Sequence, residues 1–243
     1  MELVGRVALV TGGGKRLGRA IAAGLAGRGM AVAIHHHASG SGAAELQREI
    51  QGAGGQAELF AADLRDAHAA RALAGQVVAR MGRLDVLINS AAVMVRATAA
   101  ETTPELWDDI FALNLRAGFF CAQGAAAALK AARGKIINMA DVGGMEPWAG
   151  YAAHSISKSA VIMLTRVLSV SLAPEVTVNA IAPGAVLIPA EWSAAAAGHL
   201  ESTTPLKRLG SPDDIVSAVL YLLEGGDYVT GETLVVDGGR LQR

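Results

Sequence analysis

A single cysteine, Cys121, stands in 243 residues. No internal disulfide can form, and the chain is expected in a reducing, cytoplasmic compartment. Aromatic residues make up 4% of the sequence against 52% hydrophobic overall. Alanine and glycine fill the difference, so the core is expected to rest on many small contacts between closely packed helices. Neither sign of charge is in excess, since the formal net charge is −1 with no basic or acidic block. A nucleic-acid partner would need a positive patch, and an anionic membrane surface finds no support. No apolar run reaches the roughly 18 residues of a membrane span. The first strand follows the N-terminus almost at once, so no signal peptide is expected. Linkers, repeats and low-complexity tracts are also missing. The expectation is one domain with a substantial core.

What is present is regular alternation. Apolar runs near 7–10, 31–34, 57–61, 84–88, 136–139, 176–181 and 233–236 read as strands. Helical spacing covers about 17–28, 67–81, 105–132, 151–172 and 212–223. A second helix follows an N-cap at Ser41 and runs to about 53, and a short one falls in 191–200. Buried strands separated by helices give an α/β fold, a Rossmann-type doubly wound parallel sheet. Its ligand belongs beyond the carboxyl ends of the strands.

The stretch that follows the first strand is Thr11-Gly12-Gly13-Gly14-Lys15-Arg16-Leu17-Gly18. Glycines between a strand and a helix let backbone approach a pyrophosphate, and the free N–H groups of the helix start attract its charge. A dinucleotide site of the NAD type carries an acid about 20 residues after this turn, to bond the ribose 2′-hydroxyl. Here the second strand ends in His35-His36-His37-Ala38-Ser39, and no acid lies between Gly18 and Glu45. Arg16, with Lys15, is a cation suited to a 2′-phosphate. The cofactor reading is therefore NADP(H). Three consecutive histidines in a strand alternate faces and do not converge on one ion, so no metal site is expected. Asp63, with Leu64 beside it, is placed to meet an adenine edge or to cap the next loop.

These residues resemble the short-chain dehydrogenase/reductase family over the whole chain. The matches are Thr11-Gly12 to Gly18, Asp63, Asn89-Ser90-Ala91, Asn114, Lys158, Pro183-Gly184 and the closing Thr230-Gly231 to Asp237-Gly238-Gly239. Arg16-Leu17-Gly18, the histidine-rich second strand and Asp141, two residues after Met139, look more specifically like pteridine reductases. That likeness implies an NADPH-dependent enzyme that reduces pterins. It also implies that Lys158 contacts the ribose and that Asn114 holds a water in a proton relay. It further implies a mobile lid near 184–209 and a homotetramer packed through the helices of 105–132 and 151–172. The departures are specific. Ala38 replaces an arginine, leaving Arg16, His37 and Ser39, beside His36, to carry the phosphate. Met94 stands where an aromatic ring stacks the pterin. His154 occupies the place of the family tyrosine, four residues before Lys158.

Tyr151, His154 and Lys158 are spaced to share one helical face. Three readings of the proton source stay open. His154 is the donor; or Asp141 is, working with Tyr151, since a buried carboxylic acid can stay protonated; or the site binds its ligands and turns over slowly. Met94, Trp148 and Trp192 are candidates to line the substrate pocket. Beside the pterin reductase stand two other functions, a carbonyl reductase of unrelated substrate and a cofactor-binding sensor.

Overall fold

The first strand, β1 (Val7–Val10), is buried throughout. Ala8 and Val10 face one core, Val7 and Leu9 the other, as a period of two requires. The computed structural model describes residues 1–188 and 193–242. It places β1 inside a seven-stranded sheet. The other strands are β2 (Ala31–His36), β3 (Ala57–Ala61), β4 (Val86–Asn89), β5 (Lys135–Met139), β6 (Thr177–Pro183) and β7 (Thr233–Val236). The order is β3-β2-β1-β4-β5-β6-β7, with every neighbouring pair parallel. The winding reverses between β1 and β4, and this opens a crevice at the carboxyl edge.

The helices are α1 (Arg16–Gly27), α2 (Gly40–Gly52), α3 (Ala67–Met81), α4 (Pro104–Phe111), α5 (Ala117–Ala132), α6 (Ala152–Ser171), α7 (Ala194–Thr203) and α8 (Pro212–Glu224). Ile21, Leu25, Leu46, Ile215 and Val219 bring α1, α2 and α8 onto one face. Leu73, Val77, Cys121, Leu129, Leu164 and Leu168 bring α3, α5 and α6 onto the other. The small-residue core is borne out where α3 meets α5, through Ala70, Ala74, Ala122 and Ala125. Burial pushes the Cys121 thiol up to about 12, so it packs as an inert apolar group.

Several boundaries differ from the sequence reading, each for a local reason. The expected helix over 105–132 is interrupted by a π turn, Ala112–Arg116, which contains Asn114. The second helix begins at Gly40 with Ser39, not Ser41, at its N-cap. β2 extends to His36, because His35 and His36 pair with Phe60 and Ala61 of β3. β4 starts at Val86, later than the apolar run at 84. The carboxylate of the preceding residue, Asp85, accepts from Val7 N–H and from the guanidinium groups of Arg6 and Arg83. β6 runs on to Pro183, and the short helix expected in 191–200 is α7, whose N-cap Ser193 accepts from Ala196 N–H.

Candidate active site

The chain leaves β1 through Thr11, whose hydroxyl oxygen accepts from Ser90 N–H and Ala91 N–H and so ties the ends of β1 and β4 together. Gly12 then turns at φ 66°, and a side chain there would meet Ala91 Cα at 3.0 Å. A side chain at Gly18 would meet Gly12 O at 2.4 Å, so the turn closes only without one. α1 opens at Arg16 with no side-chain cap and no acid in its first turn. Its leading N–H groups have the character of an anion site. Leu17 packs on the core, and Lys15 is exposed. Arg16 holds φ 51°, a left-handed conformation that favours glycine. Its Nη2 donates to Leu187 O at 2.7 Å, bridging the turn to the segment after Gly184.

The three histidines part company as the strand period demands. His35 is buried under the turn: its Nδ1 accepts from Gly12 N–H at 3.0 Å and its Nε2–H donates to Ala62 O at 3.1 Å. Burial drives its pKa down to about 4. His36 lies beside Gly40 and His37 is exposed, next to the start of α2. The Ser39 hydroxyl makes no cap bond to α2, although Ser39 occupies the cap position. Asp63 Oδ1 accepts from Arg65 N–H, so the loop role weighed for it is present; the helix that follows is capped by Asp66 instead. His35 carries the turn, yet the sequence reading passed over it. Its inward register on β2, between buried Ala33 and the turn, was the available signal.

A small cavity brings Thr11, Leu64, Asn89, Ala91, Asn114 and Lys158 onto one lining, so residues from five parts of the chain converge at the strand ends. Asn89 Nδ2 donates to Asn138 Oδ1 at 2.9 Å, bracing β4 against β5. Lys158 is buried and its Nζ donates to Met139 O at 2.6 Å. Burial lowers its pKa to about 8, with the charge of Asp141 opposing the fall. Asn114 Oδ1 accepts from Val93 N–H at 2.8 Å. Its Nδ2 donates to Val93 O at 2.9 Å and to Ser157 Oγ at 3.1 Å. Its side chain therefore clasps the loop after β4.

His154 is 3% exposed, and its Nε2 stands 3.8 Å from Asp141 Oδ2. The other carboxylate oxygen of Asp141 accepts from Gly143 N–H at 2.7 Å. Tyr151 lies at the N-cap of α6, just outside the helix, with its ring edge-on to Trp148. The helical face expected to unite it with His154 and Lys158 thus begins one residue later, at Ala152. Trp148 lies nearly parallel to the His154 ring, 15° apart with centroids at 6.5 Å. It also covers Gly143, where a side chain would meet the indole at 2.8 Å. Met94 is 46% exposed and follows Val93, whose carbonyl lies 3.3 Å from His154 Nδ1. Pro183 ends β6, and Gly184 N–H donates to Val236 O. Trp192, the remaining candidate for the pocket, lies outside the described residues.

A family profile described as "Enoyl-(Acyl carrier protein) reductase" matches residues 14–240. An uncharacterized oxidoreductase of Mycobacterium tuberculosis is 37% identical over 241 residues, 96% of this chain and 91% of its own. A 3-oxoacyl-[acyl-carrier-protein] reductase of Synechocystis is 33% identical over 241 residues, covering 98% and 97%. Among solved structures, a blue fluorescent protein from a metagenomic library, in complex with NADPH, superimposes with a TM-score of 0.92. It is 32% identical and covers 99% of both chains.

Proposed function

This chain belongs to the short-chain dehydrogenase/reductase family, and from that membership we propose that it is an NADPH-dependent reductase of C=N or C=O bonds in a planar heterocycle of the pterin type. The observation that carries this reading is the pairing, on one edge of the sheet, of an uncapped glycine turn with a buried lysine. The residues present fit a dinucleotide. Gly12, Gly18 and the α1 start would take its pyrophosphate, with Asp63 and Leu64 at the adenine. Asn89, Ala91, Pro183 and Gly184 would flank the nicotinamide end, and Lys158 the ribose. His36, His37 and Ser39 flank the start of α2 with no carboxylate among them, which supports a 2′-phosphate there. Arg16 is bonded to Leu187 and keeps further donors for that phosphate or for the pyrophosphate. When bound, the reduced nicotinamide supplies a hydride. The protein's own part is to hold the acceptor against it and to deliver a proton.

Met94 and Trp148 would cover the heterocycle, with the described parts of the expected lid, 184–188 and 193–209, beside them. The pterin assignment rests on Arg16-Leu17-Gly18, the second-strand histidines and Asp141. A second reading, reduction of an open-chain ketone, is favoured by the likeness to the Synechocystis reductase. The test is NADPH and NADH titrated side by side, followed by turnover on a panel of dihydropterins and β-ketoesters. NADPH is expected to bind at least about tenfold tighter, the worth of one charge-assisted hydrogen bond. Dihydropterins are expected to be consumed faster than the ketones. Equal affinity for the two cofactors sinks the NADP(H) assignment, and turnover confined to the ketones sinks the pterin one.

The assembly belongs to the same reading. α6 exposes Ile156, Met163, Val167 and Val170, and the α4–α5 region exposes Trp107 and Phe119. Such a run of apolar surface fits a subunit interface, and we place the protein in the cytoplasm as a homotetramer. Sedimentation velocity is expected to give four chains per particle, and a monomer at micromolar concentration would overturn it. No helix among the described residues is long and apolar enough to cross a membrane.

A further inference from the structure

The two nitrogens of the His154 ring have different surroundings. Nδ1 lies 3.3 Å from Val93 O. A carbonyl oxygen only accepts, so the hydrogen of the neutral ring belongs on Nδ1. Nε2 is then a bare lone pair. It is fully buried and has no hydrogen-bond partner among the described residues. An orphaned buried polar atom costs stability, and a use for it is the usual reason such an atom persists.

The surroundings hold the ring in this state. Val93 is gripped at both its N–H and its carbonyl by Asn114. The π turn that carries Asn114 is joined to α6 through Ser157, whose hydroxyl donates to His154 O. Trp148 covers the ring, and its own N–H donates to Glu146, so the indole is fixed as well. The charged groups on the elements packed around the imidazole are Asp141 and Glu146 after β5, Arg96 after β4 and Lys158 on α6. Asp141 Oδ2, at 3.8 Å, is the charge that faces Nε2.

We propose that His154 carries the proton in this active site and does so at Nε2, because the Val93 carbonyl retains the hydrogen of Nδ1. This rests on the reductase reading above. In the reducing direction the imidazolium gives its Nε2 proton to the substrate oxygen or nitrogen that gains charge as the hydride arrives. The Nε2–H bond breaks and an O–H or N–H bond forms. The ring returns to the neutral Nδ1–H form, and the electron pair and hydrogen on carbon come from the reduced nicotinamide. A proton drawn from solvent through the opened active site restores the imidazolium for the next cycle, since Nε2 itself has no surface in the free protein. Asp141 is a positioning residue: its Oδ2 faces Nε2 at 3.8 Å while its Oδ1 is held by Gly143 N–H, so it fixes the direction in which the donor nitrogen points.

The experiment is a pH titration of protein labelled with 15N-histidine, without and with NADPH, read by long-range 1H–15N correlation. His154 is assigned as the signal missing from the His154→Gln protein. The expected neutral form has the hydrogen on Nδ1 and a bare Nε2; a neutral form protonated on Nε2 overturns the proposal, whatever the protein reduces. This measurement needs no turnover, so it is separate from failure of the reductase reading, which a wild-type protein inert on every substrate would signal. Two activity measurements complete it. H154Q is expected to keep NADPH affinity and lose about 100-fold or more in kcat, the scale of one general acid; unchanged kcat overturns the proposal. Asp141→Asn is expected to lower kcat while leaving KM unchanged, with Asp141→Glu recovering part of the loss, and an unchanged kcat removes Asp141 from the pair.

Discussion

Lys158→Met is expected to give a more stable protein with almost no activity. A lysine whose pKa falls from 10.5 to about 8 is protonated in both the folded and the unfolded state at pH 7, but the folded state holds the charge less favourably. The unfolded chain keeps its proton up to higher pH, so wild-type stability rises between pH 8 and 10.5. At pH 7 the buried ammonium costs about 3 kcal/mol, and methionine, of similar volume, removes that cost while forfeiting the bond to Met139 O. A net gain of about 2 kcal/mol is expected in urea unfolding at pH 7, closing toward zero by pH 10.5. Activity should fall about 100-fold or more, since the ribose contact proposed for Lys158 and the local charge would both be lost. A variant no more stable than wild type at pH 7 would show that the lysine is held there without strain. The pair of outcomes also says why a small-residue core tolerates a buried cation, since stability is yielded at the site where chemistry needs the charge.

The order of the elements was readable because the chain keeps strict local rules. Seven apolar runs and the intervening helical periods became seven strands and their crossovers, and the helical spacing over 212–223 became α8, which opens in a capping box of Ser211 and Asp214. What was not readable had non-local causes. The π turn at Ala112–Arg116 lengthens no hydrophobic repeat, and it is recognised by what it does, which is to carry Asn114 onto the Val93 backbone. The resemblance implies that Asn114 holds a water; its side chain also grips the backbone of Val93, 21 residues away, which no local pattern announces. Arg16 was legible as a cation in the turn, but its bond to Leu187 spans 171 positions and has no sequence signature. His154 was legible as a departure from the family pattern. Its tautomer depends on a backbone carbonyl, and carbonyls are the same in every sequence. The convergence of the glycine turn with Lys158 was legible because the turn follows β1 and α6 follows the loop after β5, and a doubly wound sheet gathers those loops at one edge.

His35 gives the second large effect, in acid. Its ring is neutral in the folded protein, with Nδ1 accepting from Gly12 N–H and Nε2–H donating to Ala62 O. Burial disfavours the charged ring, so the folded pKa lies near 4 while the unfolded value is 6.5, and a proton on Nδ1 would also displace the bond from Gly12 N–H. Below pH 6.5 the unfolded chain takes up a proton that the folded one refuses, and stability falls until the folded ring also titrates. The contribution is about 3 kcal/mol, lost between pH 6.5 and 4. His35→Leu keeps an apolar filling under the turn but strips Gly12 N–H and Ala62 O of their partner. At pH 7 it should be less stable than wild type by about 1–3 kcal/mol. As the pH falls toward 4 the two curves should meet and then cross, because the leucine protein has no proton to take up. Parallel curves across that range would mean that the ring titrates freely in the fold and does not latch the turn. Cofactor affinity separates the latch from simple packing. His35 fixes the residue that sets the whole glycine turn, so the leucine variant should bind NADPH more weakly even at pH 7, where it is still folded. The turn's capacity to hold a phosphate then depends on a side chain that never touches one.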